Sequence, residues 1–228
     1  MSSEEVGMGA HTVRGPGRPG RGGPAAPDED TVLQRGLEAF AELGYDGASA
    51  RELARRLGVS HNFINDRYGS KAAFWRAVVD RVLAAQKDRL TALVEQHTGD
   101  DEAVLRAVIG HFYRSVVDTP MLGRVLTDEF RREGERLDHL HRDYIAPVLA
   151  AVMPSVERLA AQGRIRPLPT DLLYFAVIGP ATGFTQFPLA DRLAGRGGRT
   201  PRERRDDAGR LAEAVLDGLI DRVPPARG

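Results

Sequence analysis

The sequence predicts an all-α protein, with a small three-helix head that contains a helix-turn-helix and a larger body of six helices. Apolar residues recur at intervals of three and four positions along most of the chain after residue 27, which is the spacing of one helix face. No segment shows the apolar-polar alternation that is typical of a strand. Glycine or proline stands where the periodic segments end, so the helices are predicted to be joined by short turns.

Composition limits the class of protein before any motif is considered. Of the 228 residues, 42% are hydrophobic and 28% are charged, which is the balance of a soluble globular chain. No apolar run approaches the roughly 18 residues that cross a bilayer, and no apolar leader is present at the start, so we expect a cytoplasmic protein that does not contact a membrane. Without cysteine, the chain has no disulfide, thiolate metal site or cysteine nucleophile.

Residues 1–27 are predicted to form an unstructured basic arm. They are rich in glycine and proline and hold almost no bulky apolar residue, so they cannot bury enough surface to fold alone. Within them, residues 14–21 read Arg-Gly-Pro-Gly-Arg-Pro-Gly-Arg. Such a segment suits the minor groove of DNA, whose negative potential favours arginine. A solvated tail is the alternative.

The first helix of the head is predicted over residues 28–43. Leu33, Leu37 and Phe40 fall on one face, and acidic residues at positions 28–30 favour the positive end of the helix dipole. Gly44 follows the last apolar position and predicts the end of the helix, because glycine readily adopts the left-handed conformation found there.

Two short helices follow, joined by a tight turn. Ser49 and Glu52 have the spacing of a capping box, which predicts the start of a helix that ends at Gly58. A second helix is predicted from Ser60 to about Tyr68. Two short helices joined by a turn that contains glycine form a helix-turn-helix, a unit whose second helix enters the major groove of DNA.

The charge distribution agrees with a nucleic-acid partner. The net charge of the chain is zero, but residues 50–76 contain six basic and two acidic residues, so positive charge is concentrated around the helix-turn-helix. Phe63 and Ile64 are the apolar anchors of the second helix and are predicted to pack rather than to contact DNA.

The body is predicted to begin with a long helix whose apolar residues include Trp75, expected to pack the head against the body. A kink is predicted at Gly179-Pro180, breaks at Pro147 and Pro154, and a mobile loop over residues 189–200. The six predicted helices span residues 70–97, 101–118, 120–132, 135–162, 171–187 and 201–223.

Four short phrases in residues 31–82 share an order and a spacing with one known family. They are Phe40-Ala41-Glu42-Leu43-Gly44-Tyr45, Arg51-Glu52-Leu53-Ala54, Leu57-Gly58-Val59-Ser60 and Tyr68-Gly69-Ser70-Lys71. This stretch resembles the TetR family of one-component bacterial regulators. The resemblance implies about nine helices, divided into a DNA-binding domain (28–71) and a C-terminal ligand-binding and dimerisation domain (72–228).

The resemblance also implies which residues contact operator DNA. Asn62 and Asn65 suit bidentate contacts to adenine, and Arg67 suits a guanine or a phosphate. The hydroxyl groups and Lys71 suit phosphates, which set the register of binding. The segment 61–67 departs from the pattern common in the family, so the operator sequence stays open. The expected DNA-binding residues are Ser49, Arg51, Ser60, His61, Asn62, Asn65, Arg67, Tyr68 and Lys71.

The two last helices are expected to form a dimer surface. Gly179, Ala181 and Gly183 would let helices approach closely, and two copies would form a four-helix bundle. The alternative is that these helices only cover the core of one chain. The body is also expected to hold an apolar pocket, although aromatic residues at helical spacing can equally be core. The candidate pocket residues are Phe112, Tyr113, Val116, Phe130, Tyr144, Phe175, Ile178 and Phe184.

The sequence therefore predicts a transcriptional regulator: a homodimeric repressor that a small apolar effector releases from a pseudo-palindromic operator. A ligand-independent architectural or nucleoid-associated DNA-binding protein is the alternative. An enzyme is disfavoured because no nucleophile elbow, phosphate loop or zinc-binding His-Glu pair occurs. No cofactor is expected. His139 and His141 are two positions apart on a helix and point to different sides, so they are not expected to share a metal ion.

Overall fold

The computed structural model describes residues 27–195 and 197–220, which contain eleven α-helices and no strand. The predicted all-α class is confirmed, whereas the basic arm, apart from Pro27, lies outside the described residues. The head consists of α1 (Glu29–Gly47), α2 (Ala50–Leu57) and α3 (Phe63–Tyr68). The body consists of α4 (Lys71–Gln96), α5 (Asp101–Asp118), α6 (Pro120–Glu129), α7 (Glu135–Leu140), α8 (Ala146–Ala161), α9 (Thr170–Phe184), α10 (Phe187–Leu193) and α11 (Pro201–Leu219).

The regular part of helix α1 begins and ends where its sequence predicts. The carboxylate of Asp28 accepts a hydrogen bond from the amide of Thr31 at 2.8 Å and caps the first turn. Gly44 leaves helical geometry with a φ of 67°, so the regular helix ends at Leu43, and one further turn continues to Gly47. A positive φ at this position favours glycine, because a residue with a side chain rarely adopts it.

The turn between α2 and α3 is fixed by Gly58, whose φ of 72° and ψ of 34° place it in the left-handed region. The predicted capping box is only half formed. Ser49 Oγ accepts from the Glu52 amide at 3.2 Å, but the Glu52 carboxylate accepts from Arg55 and Arg56. The Glu52 carboxylate forms ion pairs with both arginines and does not reach back to the cap amide.

Helix α3 begins three residues later than predicted. Residues 60–62 form a turn in which the Phe63 amide donates to the carbonyl of Ser60 at 3.1 Å. The three polar residues of this turn therefore precede the helix, and α3 itself consists of six residues. The corner between α2 and α3 is consequently longer than a minimal glycine turn.

The body departs from the prediction in several places. The short helix α10 lies in the region predicted as a mobile loop. The expected break at Pro147 does not occur, because a π-turn (His141–Ile145) joins α7 to α8; the amide of Ala146 donates to the carbonyl of His141, five residues back. Pro147 lies in the first turn of α8, just after this wider turn, where a residue without an N–H is tolerated. Pro154 and Pro180 lie inside α8 and α9 without ending either helix.

One hydrophobic core connects the head to the body, and we call it the shared core. Trp75 is fully buried in it and makes edge contacts with the rings of Tyr45 and His139, as expected for a residue that packs the two parts together. The buried members are Val32, Leu33, Leu37, Ala39, Phe40, Ala48, Leu53, Leu57, Ile64, Phe74, Trp75, Val78, Val79, Leu122, Val125 and Leu140.

Helices α1 and α4 cross closely at Gly36. A β-carbon at this position would lie 2.6 Å from Phe74 Cζ and 2.7 Å from Val78 Cγ2, closer than such atoms can approach. The hydrogen atom of glycine therefore sets the distance between the first helix of the head and the long helix of the body.

A second core lies within the body. Ala208, Ala212 and Leu216 follow each other at four-residue intervals and bury one face of α11 among α5, α8 and α9. Helix α11 ends at Leu219 rather than at the predicted residue 223, because Ile220 is extended and forms an antiparallel bridge with Ile165. The bridge connects the end of the described chain to the loop after α8.

By length and composition alone, the continuous helical segment Glu135–Ala161 could cross a membrane, a test that core helices of soluble proteins also pass. Its most apolar 18-residue window has a mean hydropathy of 1.2, and α9 with α10 passes the same test as a pair bent by 81°. Val148 and Val152 of α8 pack in the interior of the body and also line a cavity there. These contacts account for the apolar composition of this segment.

Candidate nucleic-acid interface

Packing of two side chains sets the orientation of α3. Ile64 is fully buried, and the ring of Tyr68 lies 4.8 Å from that of Phe74 at the start of the body. Because Ile64 and Tyr68 are four positions apart, they occupy one face of the helix. The opposite face, with Asn65 and Asp66, is exposed.

The expected DNA-binding residues lie on α3, in the turn before it, and at the starts of α2 and α4. Seven of them are exposed, and Tyr68 and Lys71 are partly buried. The exposed residues are Ser49, Arg51, Ser60, His61, Asn62, Asn65 and Arg67. Two amide side chains next to basic groups can donate and accept hydrogen bonds at base edges, which is what reading the major groove requires.

Glu29 is part of this surface, although no local motif marks it as a member. Its carboxylate accepts a hydrogen bond from Arg67 Nε at 2.6 Å and another from the Tyr68 hydroxyl at 2.7 Å. Burial of the Tyr68 ring and the adjacent Glu29 raise the pKa of that hydroxyl to about 12, so it stays protonated and donates at neutral pH. Arg67 and Tyr68, both expected to contact DNA, are thus hydrogen-bonded to α1.

Lys71 is anchored but retains donors. Its Nζ donates to the carbonyl of Tyr45 at 3.0 Å and lies 4.2 Å from the centre of the Tyr45 ring. An ammonium group has three donors, so two remain for phosphate oxygens. The guanidinium of Arg136 lies 3.6 Å from the centre of the same ring, a body contact that sequence reasoning missed. Tyr45 therefore joins the start of α4 to α7.

The cations of α2 differ in their partners. Arg55 and Arg56 both bind the carboxylate of Glu52, and these hydrogen bonds lower its pKa to about 2. Within the described ranges, no carboxylate pairs with Arg51, which is exposed. Arg51 is consequently the cation of α2 that is best placed to bind a phosphate without first breaking an ion pair.

A cavity of about 490 Å³ lies in the body, within the size range of small-molecule sites. Six of the eight candidate pocket residues line it: Phe112, Val116, Phe130, Tyr144, Phe175 and Ile178. Tyr113 and Phe184 do not. The Tyr113 hydroxyl donates to the carbonyl of Val177 at 2.7 Å, and the Tyr113 and Phe184 side chains belong to the second core.

Helix α4 connects this cavity to the head. Leu83, Gln86 and Leu90 of α4 line the cavity. The hydroxyl of Tyr144, which also lines it, donates to the carboxylate of Asp80 on α4 at 2.6 Å. Burial and Asp80 raise the pKa of Tyr144 well above its usual value. The cavity wall and the long helix are therefore joined by a direct hydrogen bond.

His139 adds a second connection at the same place. Its Nε2 lies 2.7 Å from Asp80 and its Nδ1 lies 2.7 Å from Asp143, so the ring donates to both carboxylates only when both nitrogens carry a proton. His141 is exposed and lies apart from this group. No pattern in the sequence indicated that His139 would face α4.

Comparisons with known proteins agree with the helix-turn-helix. Residues 32–78 match the model of bacterial regulatory proteins of the tetR family. Over 69 residues the chain is 36% identical to YezE, an uncharacterized HTH-type transcriptional regulator of Bacillus subtilis (strain 168). That match covers 28% of this chain and 36% of the relative, so the chain spans about a third of the curated relative.

Solved structures share the fold of nearly the whole chain. A Clostridium perfringens protein provisionally named as a fatty acid metabolism regulator superposes with a TM-score of 0.65 at 16% identity, covering 84% of this chain and all of that one. PfmR, a TetR family regulator from Thermus thermophilus, gives 0.61 at 18% identity and covers 86% of this chain and 99% of its own. At these identities the likeness shows the fold alone.

Proposed function

We propose that this chain, which belongs to the TetR family of bacterial regulatory proteins, is a repressor that binds a pseudo-palindromic operator as a homodimer and is released by a small ligand. The observation that carries the proposal is that the amide side chains of Asn62 and Asn65, just before and on α3, are exposed beside basic groups. The buried side chain of Ile64 fixes the orientation of this helix. Such a regulator would act in the cytoplasm, where operator DNA is found, and would not be an enzyme.

Two copies are needed because one head makes few contacts. The recognition helices of a dimer read half-sites about 34–36 Å apart, or a multiple of that spacing. A surface that could hold two copies together lies on the outer faces of α9 and α11, which we call the outer face. It is exposed and consists of Leu172, Phe175, Ala176, Gly179, Gly183, Ala214 and Gly218.

The chemistry of the outer face favours this role. Leu172 is 53% exposed and Phe175 is 65% exposed, which is costly for large apolar side chains on an unpartnered surface. The exposed glycines would allow a partner helix to approach closely, as in helix bundles. Ala181, the third small residue expected at the interface, is instead buried within the chain.

The cavity supports release by a ligand rather than an architectural role. Its walls include α4, and Tyr144 contacts both the cavity and Asp80. A ligand that displaced Tyr144 would disturb α4, to which the head is attached through the shared core. A change in the direction of α4 would alter the distance between the two recognition helices of a dimer.

A selection from a random DNA library with the purified full chain tests the proposed function. We expect enrichment of a small set of sequences with two-fold symmetry. Enrichment of many unrelated sequences without two-fold symmetry would contradict the proposal and favour an architectural DNA-binding protein. Native mass spectrometry of the same preparation would report the dimer and any co-purified ligand.

A further inference from the structure

The cavity carries charge of one sign only. Among the described residues that line it, Lys87 and Arg131 are the charged ones, and no aspartate or glutamate is present. The other lining residues are mainly leucine, valine, isoleucine and aromatic residues, with a few neutral polar groups. A ligand for this cavity therefore meets an apolar wall with cationic positions on it.

Lys87 is the better placed of the two cations. It lies on α4 and is partly buried, and its Nζ is 5.5 Å from the centre of the Tyr144 ring. Within residues 27–195 and 197–220, no carboxylate forms an ion pair with Lys87. Arg131 follows the exposed Phe130 and is itself exposed, so it lies at the margin of the cavity.

This arrangement discriminates between ligands by charge. A ligand that fills the cavity displaces water from the Lys87 ammonium, and a cation that loses water without gaining a partner is destabilised. A neutral apolar ligand leaves that loss uncompensated, and a cationic ligand adds repulsion. An anionic group on the ligand would instead pair with the ammonium in an environment where water screens the attraction less than in bulk.

We propose that the cavity binds an amphipathic anion, with an apolar body against the leucine, valine and aromatic walls and a carboxylate at Lys87. This inference rests on the proposed function, because it names the class of ligand for the same cavity. Since Lys87 lies one helical turn from Leu83 and about two turns from Asp80, the carboxylate would bind α4 on the side that faces Tyr144. Ligand charge would then act directly on the helix attached to the head.

Calorimetric titration of the full chain with three probes tests the inference. Decanoate, 1-decanol and decylamine share one apolar chain and differ in charge, and each is used below the concentration at which it forms micelles. We expect decanoate to bind about tenfold more tightly than decanol, as one charged hydrogen bond would give, with decylamine weakest. Equal affinities for decanoate and decanol, or no binding of decanoate, would overturn the inference.

Variants at Lys87 locate the anion. Lys87→Met removes the charge and keeps most of the apolar length, so decanoate should fall to the affinity of decanol while decanol is unaffected. Lys87→Arg keeps the charge and should retain the preference, which controls for a general effect of substitution. An unchanged preference for decanoate in Lys87→Met would contradict the assignment of Lys87. Melting temperatures without ligand report whether each variant is folded.

Release from DNA is measured separately, so that the two proposals fail in different ways. If decanoate binds through Lys87 but does not weaken binding to the selected DNA, the inference stands and release by this class of ligand fails. If decanol and decanoate bind equally and both release the DNA, the proposed function stands and the anionic ligand is excluded.

Discussion

At the scale of single residues, the proposed DNA-binding surface combines groups that the sequence identifies with one, Glu29, that it does not. The exposed positions of α3 follow from periodicity, because Ile64 and Tyr68 fix the buried face and leave Asn65 outside. Glu29 is 38 residues from Arg67 in the sequence, and no local pattern indicates that the two meet. Long-range ion pairs of this kind depend on helix packing.

The contact between Glu29 and Arg67 predicts tighter DNA binding when the carboxylate is removed. In Glu29→Gln, Arg67 is free to bind phosphate and one repulsive charge is lost. We expect a several-fold gain in affinity for non-specific duplex DNA and a salt slope steeper by about one unit, as one added phosphate contact gives. Fluorescence anisotropy over a range of salt concentrations measures both.

Glu38→Gln is the matched control for this prediction. It removes the same charge from the same helix, and Glu38 contacts Gln34 rather than α3. If both variants bind duplex DNA equally well, Arg67 does not reach a phosphate when Glu29 is neutral.

Asn65 and Lys71 are predicted to act differently on DNA. Asn65→Ala should relax the sequence preference, because an amide reads base edges, whereas Lys71→Ala should weaken binding to all sequences about equally and reduce the salt slope. Competition assays with the selected operator and a scrambled duplex distinguish the two effects. Equal loss on both duplexes from Asn65→Ala would remove Asn65 from the base-reading residues.

At the scale of helices, the sequence predicts which segments are helical better than it predicts irregular turns or the directions of individual side chains. The regular part of α1 ends at Leu43 as predicted, because glycine at position 44 is a local signal. The π-turn before Pro147 is not encoded by any local signal and depends on packing of the segment against α4. The same limit explains Tyr113: it neighbours Phe112 but points about 100° away around α5, into the second core instead of the cavity.

The close crossing at Gly36 predicts a stability loss on substitution by alanine. A methyl group there would overlap Phe74 and Val78, and relief of that overlap would separate α1 from α4. We expect Gly36→Ala to lower the free energy of unfolding by about 1–3 kcal/mol, measured by urea denaturation.

Gly209→Ala controls for the general effect of removing a helical glycine. A β-carbon at position 209 would have ordinary contact with Arg114, at 3.9 Å, so this variant should gain up to about 1 kcal/mol from helix propensity. The prediction for Gly36 fails if the two variants change stability alike.

At the scale of the whole molecule, the two sides of α9 and α11 differ. The inner side packs within the chain, whereas the outer face is the surface that we propose for dimerisation. Ala208 and Ala212 bury the inner side of α11, as the alternative of a single-chain core requires. Leu172 remains exposed on α9 without lining the cavity, which that alternative does not explain. The inner side of these helices therefore packs within one chain, and their outer face remains the surface proposed for a dimer.

Leu172→Asp is predicted to convert the dimer to a monomer without unfolding the chain. The residue is exposed and does not line the cavity, so a charge there affects the outer face alone. Sedimentation velocity at micromolar concentration should show the monomer, and operator affinity should fall because only one half-site is bound at a time. Ala85→Asp, at an exposed position on α4, should stay dimeric. A dimeric Leu172→Asp would show that the chains associate elsewhere.

The shared core limits how the DNA-binding part could be transplanted. Side chains of α1, α4, α6 and α7 interdigitate in it, and Trp75 lies between them. A graft of α1 to α3 alone onto a foreign body would leave this interior without its other half, and the chimera would collapse or aggregate. An exchange that carries α4, α6 and α7 together with the head keeps the interior whole, so new operator specificity is better sought by changing exposed positions of α3 than by swapping modules.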